Sequence, residues 1–108
     1  MRRLLTFIHT SLLFTCVYAN AAVVLQYHHV SDDTPTITSI SPKDFQAHMD
    51  YLHEKQFNVI SIEQLIEILG SDQTIPDNSV IITFDDAYRD ILDNAVPTLK
   101  HYDFPATI

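Results

Sequence analysis

Glycine is almost missing from this chain of 108 residues: Gly70 is the only one. A phosphate-cradling loop needs several glycines for its tight turns and close backbone approach, so P-loop, kinase and dinucleotide-binding readings have no footing. Tryptophan is absent, and cysteine occurs once, at Cys16. A single cysteine makes no internal disulfide. Bases are scarce as well, with 6 Lys and Arg against 14 Asp and Glu and a formal charge of −8. Arg2 and Arg3 sit at the N-terminus, so the remainder is more acidic still. Such a chain repels phosphate backbones, which argues against a nucleic-acid partner. What is present is enough apolar material, 46% of residues, for one small globular domain.

Residues 1–21 read as a secretory signal peptide. Arg2 and Arg3 form the basic start, and Leu4 to Val17 is apolar apart from Thr6, His9, Thr10, Ser11 and Thr15. Ala19-Asn20-Ala21 supplies small residues for cleavage, and Val17-Tyr18-Ala19 is a second candidate. The run is short for a spanning helix of ~20 residues, so no stable membrane span is expected after cleavage. Cys16 falls inside the signal, and Leu13-Phe14-Thr15 before it is a poor lipidation context. The expected mature domain is therefore 22–108, secreted to the periplasm or the extracellular space.

Past the signal, apolar runs alternate with amphipathic segments. Val23-Val24-Leu25-Gln26-Tyr27 is a buried-strand pattern, and Ser31 to Ile40, with Asp32, Asp33 and Pro35, reads as a loop. Ser41-Pro42-Lys43-Asp44 starts a helix whose face is Phe45, Met49 and Leu52 and whose end lies at Gln56-Phe57-Asn58. Val59 and Ile60 form a short strand. Ser61 with Gln64 makes a capping box for a second helix, faced by Ile62, Leu65, Ile66 and Leu69. Gly70 is expected to close it in the left-handed conformation. Val80-Ile81-Ile82-Thr83-Phe84 is the clearest strand. A stripe of Tyr88, Ile91, Leu92, Ala95, Val96 and Leu99 predicts a third helix, which Pro97 must kink or restart. Phe104 to Ile108 reads as the opening of a fourth strand. The order β-α-β-α-β-α-β means an α/β fold of parallel strands with helices packed outside.

In such folds chemistry collects at the C-terminal ends of the strands. Two places put polar residues there: His28-His29 after the first strand, and Asp85-Asp86 after the third. Adjacent carboxylates raise one another's pKa unless a cation lies beside them, so a metal held by one would leave the other as a base. Asp86 could equally cap the following helix. Side chains alternate along a strand, so only one of the two histidines faces a given site. His28 shares a face with Val24 and Gln26. His29 shares one with Val23, Leu25 and Tyr27, the wholly apolar or aromatic series suited to a helix-covered side. Parity thus favours His28 for the site. His48, His53 and His101 fall in helices and read as surface or boundary residues.

Thr83-Phe84-Asp85-Asp86-Ala87-Tyr88-Arg89-Asp90 is similar to the first signature of the NodB-type polysaccharide deacetylases, usually T-F-D-D-G. Tyr27-His28-His29-Val30 resembles the first-strand segment of the subgroup acting on poly-N-acetylglucosamine. Ser41 to Phe45, Phe57 to Ser61 and Tyr102 to Thr107 resemble that subgroup too. The resemblance implies a distorted, TIM-like (β/α) barrel of fewer than eight strands, with about its first half in residues 22–108. It implies a hydrolase that removes acetyl groups from a polysaccharide containing N-acetylhexosamine, with a divalent metal, often zinc, as cofactor. It assigns Asp85 as general base, Asp86 as metal ligand and His28 as general acid. Two departures accompany it. Ala87 replaces the usual glycine, which implies a right-handed helical start at that point. The family's metal-binding histidine pair, one helical turn apart, is not found and is expected beyond Ile108, so this chain is expected to hold only part of the machinery.

Two other classes remain open on the residues alone. One is a non-catalytic carbohydrate-binding or degenerate deacetylase-like module. The other is a phosphoryl-transfer domain with an aspartate pair, against which the signal peptide and the missing Asp-x-Asp pattern count.

Overall fold

The structure, a computed structural model, describes residues 20–108. All but the last two residues of the expected signal peptide, with Cys16, lie outside the described residues. In chain order the elements are β1 (Ala22–Tyr27), β2 (His29–Val30), a 3₁₀ turn (Thr36–Thr38), β3 (Ser39–Ile40), α1 (Pro42–Glu54), β4 (Asn58–Val59), α2 (Ile62–Leu69), β5 (Ser79–Phe84), a π-helical stretch (Ile91–Ala95) and α3 (Val96–Tyr102). The alternation read from the sequence holds. The additions are a 3₁₀ turn within the expected loop and a small parallel pair, β2–β3, that brackets it, with His29 opposite Ser39 and Val30 opposite Ile40.

The main sheet is parallel, with strand order β1-β5-β4. β5 pairs with β1 over its whole length, from Ala22 opposite Ser79 to Tyr27 opposite Phe84. Its other edge is shared. Asn58 and Val59 of β4 take the start, and Thr107 bridges to Thr83 near the end, so the expected fourth strand begins there.

Alternation along the strands sorts the residues by face. Val80, Ile82 and Phe84 of β5 join Phe45, Met49 and Leu52 of α1 and Ile91, Ala95 and Leu99 in one buried cluster. Full burial of side chains such as Phe45 and Met49 is worth roughly 1.5–3 kcal/mol each. Leu25 and Tyr27 pack against that cluster, as the parity of the first strand requires. The Tyr27 ring meets Phe45 edge-on at 5.2 Å and Phe84 at 5.6 Å. Three apolar faces are less covered than the sequence implied. Val23 is 57% exposed and Leu92 56% exposed. The face of α2 is open at Ile66 and Leu69, and no residue of that helix is buried.

The caps follow the sequence. Ser41 Oγ accepts from the Asp44 amide at 3.0 Å, with Pro42 in the first turn. Ser61 and Gln64 exchange both capping-box bonds, at 3.1 and 2.8 Å. The helix ends differ from expectation. Gly70 has φ −84° and is not left-handed. Instead the left-handed positions fall on Gln56, Asn78, Asp86, Ala87 and Asp103. At Gln56 and Asp103 the reason is helix closure: Phe57 N–H reaches Leu52 O, and Phe104 N–H reaches Leu99 O, both at 2.9 Å. Each is a Schellman closure with an apolar residue just beyond it. Ala87, expected to begin a right-handed helix, has φ 50° beside Asp86 at φ 67°. The backbone keeps the turn that glycine would allow at lower cost, and the helix begins later. Pro97 is accommodated as anticipated, in the first turn of a restarted helix. The π-helical bond from Val96 N–H to Ile91 O comes just before it.

Helices α1 and α3 are joined by polar contacts. Tyr102 OH donates to Asp50 Oδ1 at 2.5 Å, Gln46 Nε2 donates to the same oxygen at 2.6 Å, and Thr98 Oγ1 donates to Gln46 Oε1 at 2.8 Å. The Tyr102 bond, then the Gln46 bond, hold the Asp50 carboxyl below the usual carboxylate range.

Two predictions follow from this packing. Left-handed backbone costs a non-glycine residue about 1–2 kcal/mol, partly offset by the flexibility glycine adds to the unfolded chain. Ala87→Gly and Gln56→Gly should therefore each stabilise by roughly 0.5–1 kcal/mol in denaturant titration, and Ala87→Val should destabilise. A carboxyl with a depressed folded pKa contributes stability above its unfolded pKa and loses it as pH falls through the folded one. Tyr102→Phe should thus lower the thermal midpoint at neutral pH, and the gap from the parent should shrink in acid, as pH falls below the usual carboxylate range. An equal gap at both pH values would show that Asp50 ionisation is not involved.

Candidate active site at the strand ends

The parallel register brings the two polar strand ends together. β1 ends at Tyr27 and β5 at Phe84, which are partners, so His28 and Asp85-Asp86 leave the sheet side by side. The Asp85 amide continues the ladder by donating to Tyr27 O at 2.9 Å.

The half-buried Asp85 lies on the face of Gln26 and Thr83, away from the helix cluster. Its Oδ2 accepts from Gln26 Nε2 at 2.6 Å. Gln26 is thus the immediate partner of the candidate base, and its polarity on an otherwise apolar strand was the signal for it. On the same side, Thr83 Oγ1 donates to Leu25 O at 2.9 Å, which tightens the β1–β5 pairing beneath the site.

Asp86 is 57% exposed, and its Oδ2 lies 3.6 Å from Nδ1 of His28, itself 37% exposed. That is near enough for charge attraction and too long for a hydrogen bond. The structure therefore unites the three residues singled out from the sequence, with Asp85 on Gln26 and Asp86 facing His28. A shallow cleft of about 180 Å³, lined by Gln26, His28, His29 and Thr38 among others, opens beside His28. Among the described residues no three or more His, Cys, Asp or Glu side chains gather where they could hold a metal ion. A catalytic zinc takes three protein ligands and an open position, so Asp86 and its neighbours do not complete such a site by themselves.

His29 points elsewhere and has firm partners. Its Nδ1 is 2.7 Å from Asp90 Oδ2, and its ring stacks on Tyr88 at 3.7 Å. Asp90 Oδ1 also accepts from the Val30 amide at 2.8 Å, and Asn94 Nδ2 donates to Val30 O at 2.7 Å. Burial alone would raise the Asp90 carboxyl, but the His29 and Val30 bonds outweigh it and hold it below the usual range. Tyr88, with Asp86 close by, is pushed the other way, above the usual phenol value. Sequence reading took Tyr88 as part of a helical stripe, quoted Asp90 only within a signature, and did not single out Asn94. No spacing rule ties them to His29 and Val30, because their contacts cross from the chain following β5 to the segment after β1. Of the helical histidines, His48 has a definite role: its Nδ1 lies 2.9 Å from Tyr27 OH, whose pKa burial pushes up to about 12.

Comparison with known proteins follows the same lines. The polysaccharide deacetylase family profile matches residues 72–108. YxkH of Bacillus subtilis (strain 168), named as a polysaccharide deacetylase, is 34% identical over 85 residues, which are 79% of this chain and 30% of that protein. The poly-beta-1,6-N-acetyl-D-glucosamine N-deacetylase of Escherichia coli (strain K12) is 26% identical over 89 residues, 81% of this chain and 13% of that one. A solved de-N-acetylase from Aggregatibacter actinomycetemcomitans superposes with a TM-score of 0.71 at 32% identity, covering 79% of this chain and 35% of that one. The chain thus spans about a third or less of the length of these relatives. Sequence and fold agree, and the chain belongs to the polysaccharide deacetylase family, with the parallel α/β architecture of part of a NodB-type domain.

Proposed function

We propose that this chain is the N-terminal part of a secreted, metal-dependent hydrolase that removes acetyl groups from a polysaccharide of N-acetylhexosamine. What carries the reading is one juxtaposition: Asp85, Asp86 and His28 leave two paired parallel strands at the same end, with Asp86 3.6 Å from His28. Its support in substrate comes from the poly-N-acetylglucosamine deacetylase to which the chain is similar. Residues 1–21 would be the export signal, leaving 22–108 as the domain segment.

Amide hydrolysis needs a proton taken from water and a proton given to the departing nitrogen, because an amine anion is too basic to leave. Asp85 takes the first. Its Gln26 partner holds the carboxylate in one orientation, so that the free oxygen is aimed rather than averaged over rotamers. His28 gives the second. With Nδ1 turned to Asp86, Nε2 is the nitrogen left to meet the leaving group. The C–N bond breaks, the water oxygen ends in acetate, and the amino sugar is released with the proton from His28. A divalent metal, zinc by the family resemblance, would make the water acidic and polarise the acetyl carbonyl. Asp86 would be one of its ligands, with the remaining ligands supplied from outside the described residues.

Metal content and turnover separate these roles in the active protein. Asp86→Ala should lose bound metal, whereas Asp85→Asn should retain it and lose turnover. Equal retention in both variants would reject the assignment. His28→Ala should cut turnover of an N-acetylglucosamine oligomer by ~10²–10⁴, the usual worth of a general acid. The loss should be much smaller for 4-nitrophenyl acetate, whose leaving group needs no proton. Equal losses on both substrates would remove His28 from the acid role.

A further inference from the structure

The His28 ring makes no hydrogen bond among the described residues; Asp86 at 3.6 Å is its nearest charged partner. A group so lightly held is placed by its backbone, and that backbone has two anchors. On one side, Tyr27 O accepts from the Asp85 amide at 2.9 Å, the last rung between β1 and β5. On the other side the anchor consists of side chains. Asp90 receives the Val30 amide at 2.8 Å and pairs with His29 Nδ1 at 2.7 Å. Asn94 closes on Val30 O at 2.7 Å. The His29 ring lies flat on Tyr88, with 21° between the planes. His29 and Asp90 are only 13% and 18% exposed, so these bonds are well screened from water.

Tyr88, Asp90 and Asn94 all follow Asp85-Asp86 on the same run of chain. The contact therefore ties the segment carrying His28 to the segment carrying the two aspartates, and it sets their separation. We infer that His29, clamped by Asp90 and stacked on Tyr88, is a positioning residue that holds His28 against Asp86. The inference rests on the reading of His28 as general acid and goes beyond it, since His29 would matter to turnover without touching substrate. Losing a partner that orients a functional group costs ~10–100-fold in activity, and a displacement near 1 Å can have a similar effect.

The test uses the metal-loaded protein in its active form, with an N-acetylglucosamine oligomer and 4-nitrophenyl acetate as paired substrates. His29→Ala should lower kcat on the oligomer by ~10–100-fold with KM little changed, and ester hydrolysis by less than about threefold. In His28→Ala/His29→Ala the second change should add almost nothing, because the group being positioned is gone. His29→Asn, whose amide can donate to Asp90 from nearly the Nδ1 position, should recover much of the oligomer turnover. Equal losses on the two substrates, additivity in the double variant, or no rescue by His29→Asn would each overturn the positioning role and leave a purely structural one. If His28→Ala alone falls equally on both substrates, the acid reading itself has failed, and that result is distinct from any in the His29 series.

Discussion

The pairing of β1 with β5 sets everything above it. Six parallel residue pairs run from Ala22–Ser79 to Tyr27–Phe84. Side chains alternate along each strand, so a slip of one residue would exchange the two faces of β1 relative to β5. Leu25 and Tyr27 would leave the helix cluster, and Gln26 would enter it without a partner. Thr83 Oγ1 on Leu25 O, and the Asp85 amide on Tyr27 O, lock the register from the site side. The aromatic contact of Tyr27 with Phe45 and Phe84 locks it from the core side. Because the strands are parallel, both release their chains at the same end, and His28 meets Asp86 there.

Much of this was legible in the sequence, for identifiable reasons. Apolar spacing in Phe45, Met49 and Leu52 and the unbroken run at Val80 to Phe84 report burial directly, and burial decides the element. Ser41 and Ser61 declare helix starts through local hydrogen bonds that need no tertiary context. Parity along β1 put Leu25 and Tyr27 on the core side for the same reason: alternation is local. The clamp was not legible. Asp90 lies 61 residues from His29, and nothing in either neighbourhood announces their pairing. The coverage of α2 was not legible either. The periodicity of Ile62, Leu65, Ile66 and Leu69 gives the apolar face, but what lies against it depends on the rest of the fold.

Glycine scarcity misled in one particular. With a single glycine, at a helix end, the natural expectation is that it takes the left-handed place. The structure gives that conformation to Gln56, Asn78, Asp86, Ala87 and Asp103, and leaves Gly70 at φ −84°. Asn and Asp tolerate the region because their short polar side chains can bond locally. Gln56 and Ala87 have no such help, so their conformation is imposed by what surrounds them. For Gln56 that is the bond from Phe57 N–H to Leu52 O, which closes α1. For Ala87 it is the geometry of the turn leaving β5.

That turn is also what gives two neighbouring carboxylates different surroundings. Had the chain continued straight, Asp86 would have pointed to the helix side, toward the cluster that contains Phe84, where an unpaired charge is costly. Had it entered a right-handed helix at once, Asp86 would have been drawn into the first turn as a cap. The left-handed pair at φ 67° and 50° does neither. It leaves Asp85 half-buried on Gln26 and puts Asp86 into the open beside His28. Repulsion between the two is then eased by separate partners on either side. The strain at Ala87 is thus a consequence of keeping the aspartates apart in environment while they remain adjacent in sequence.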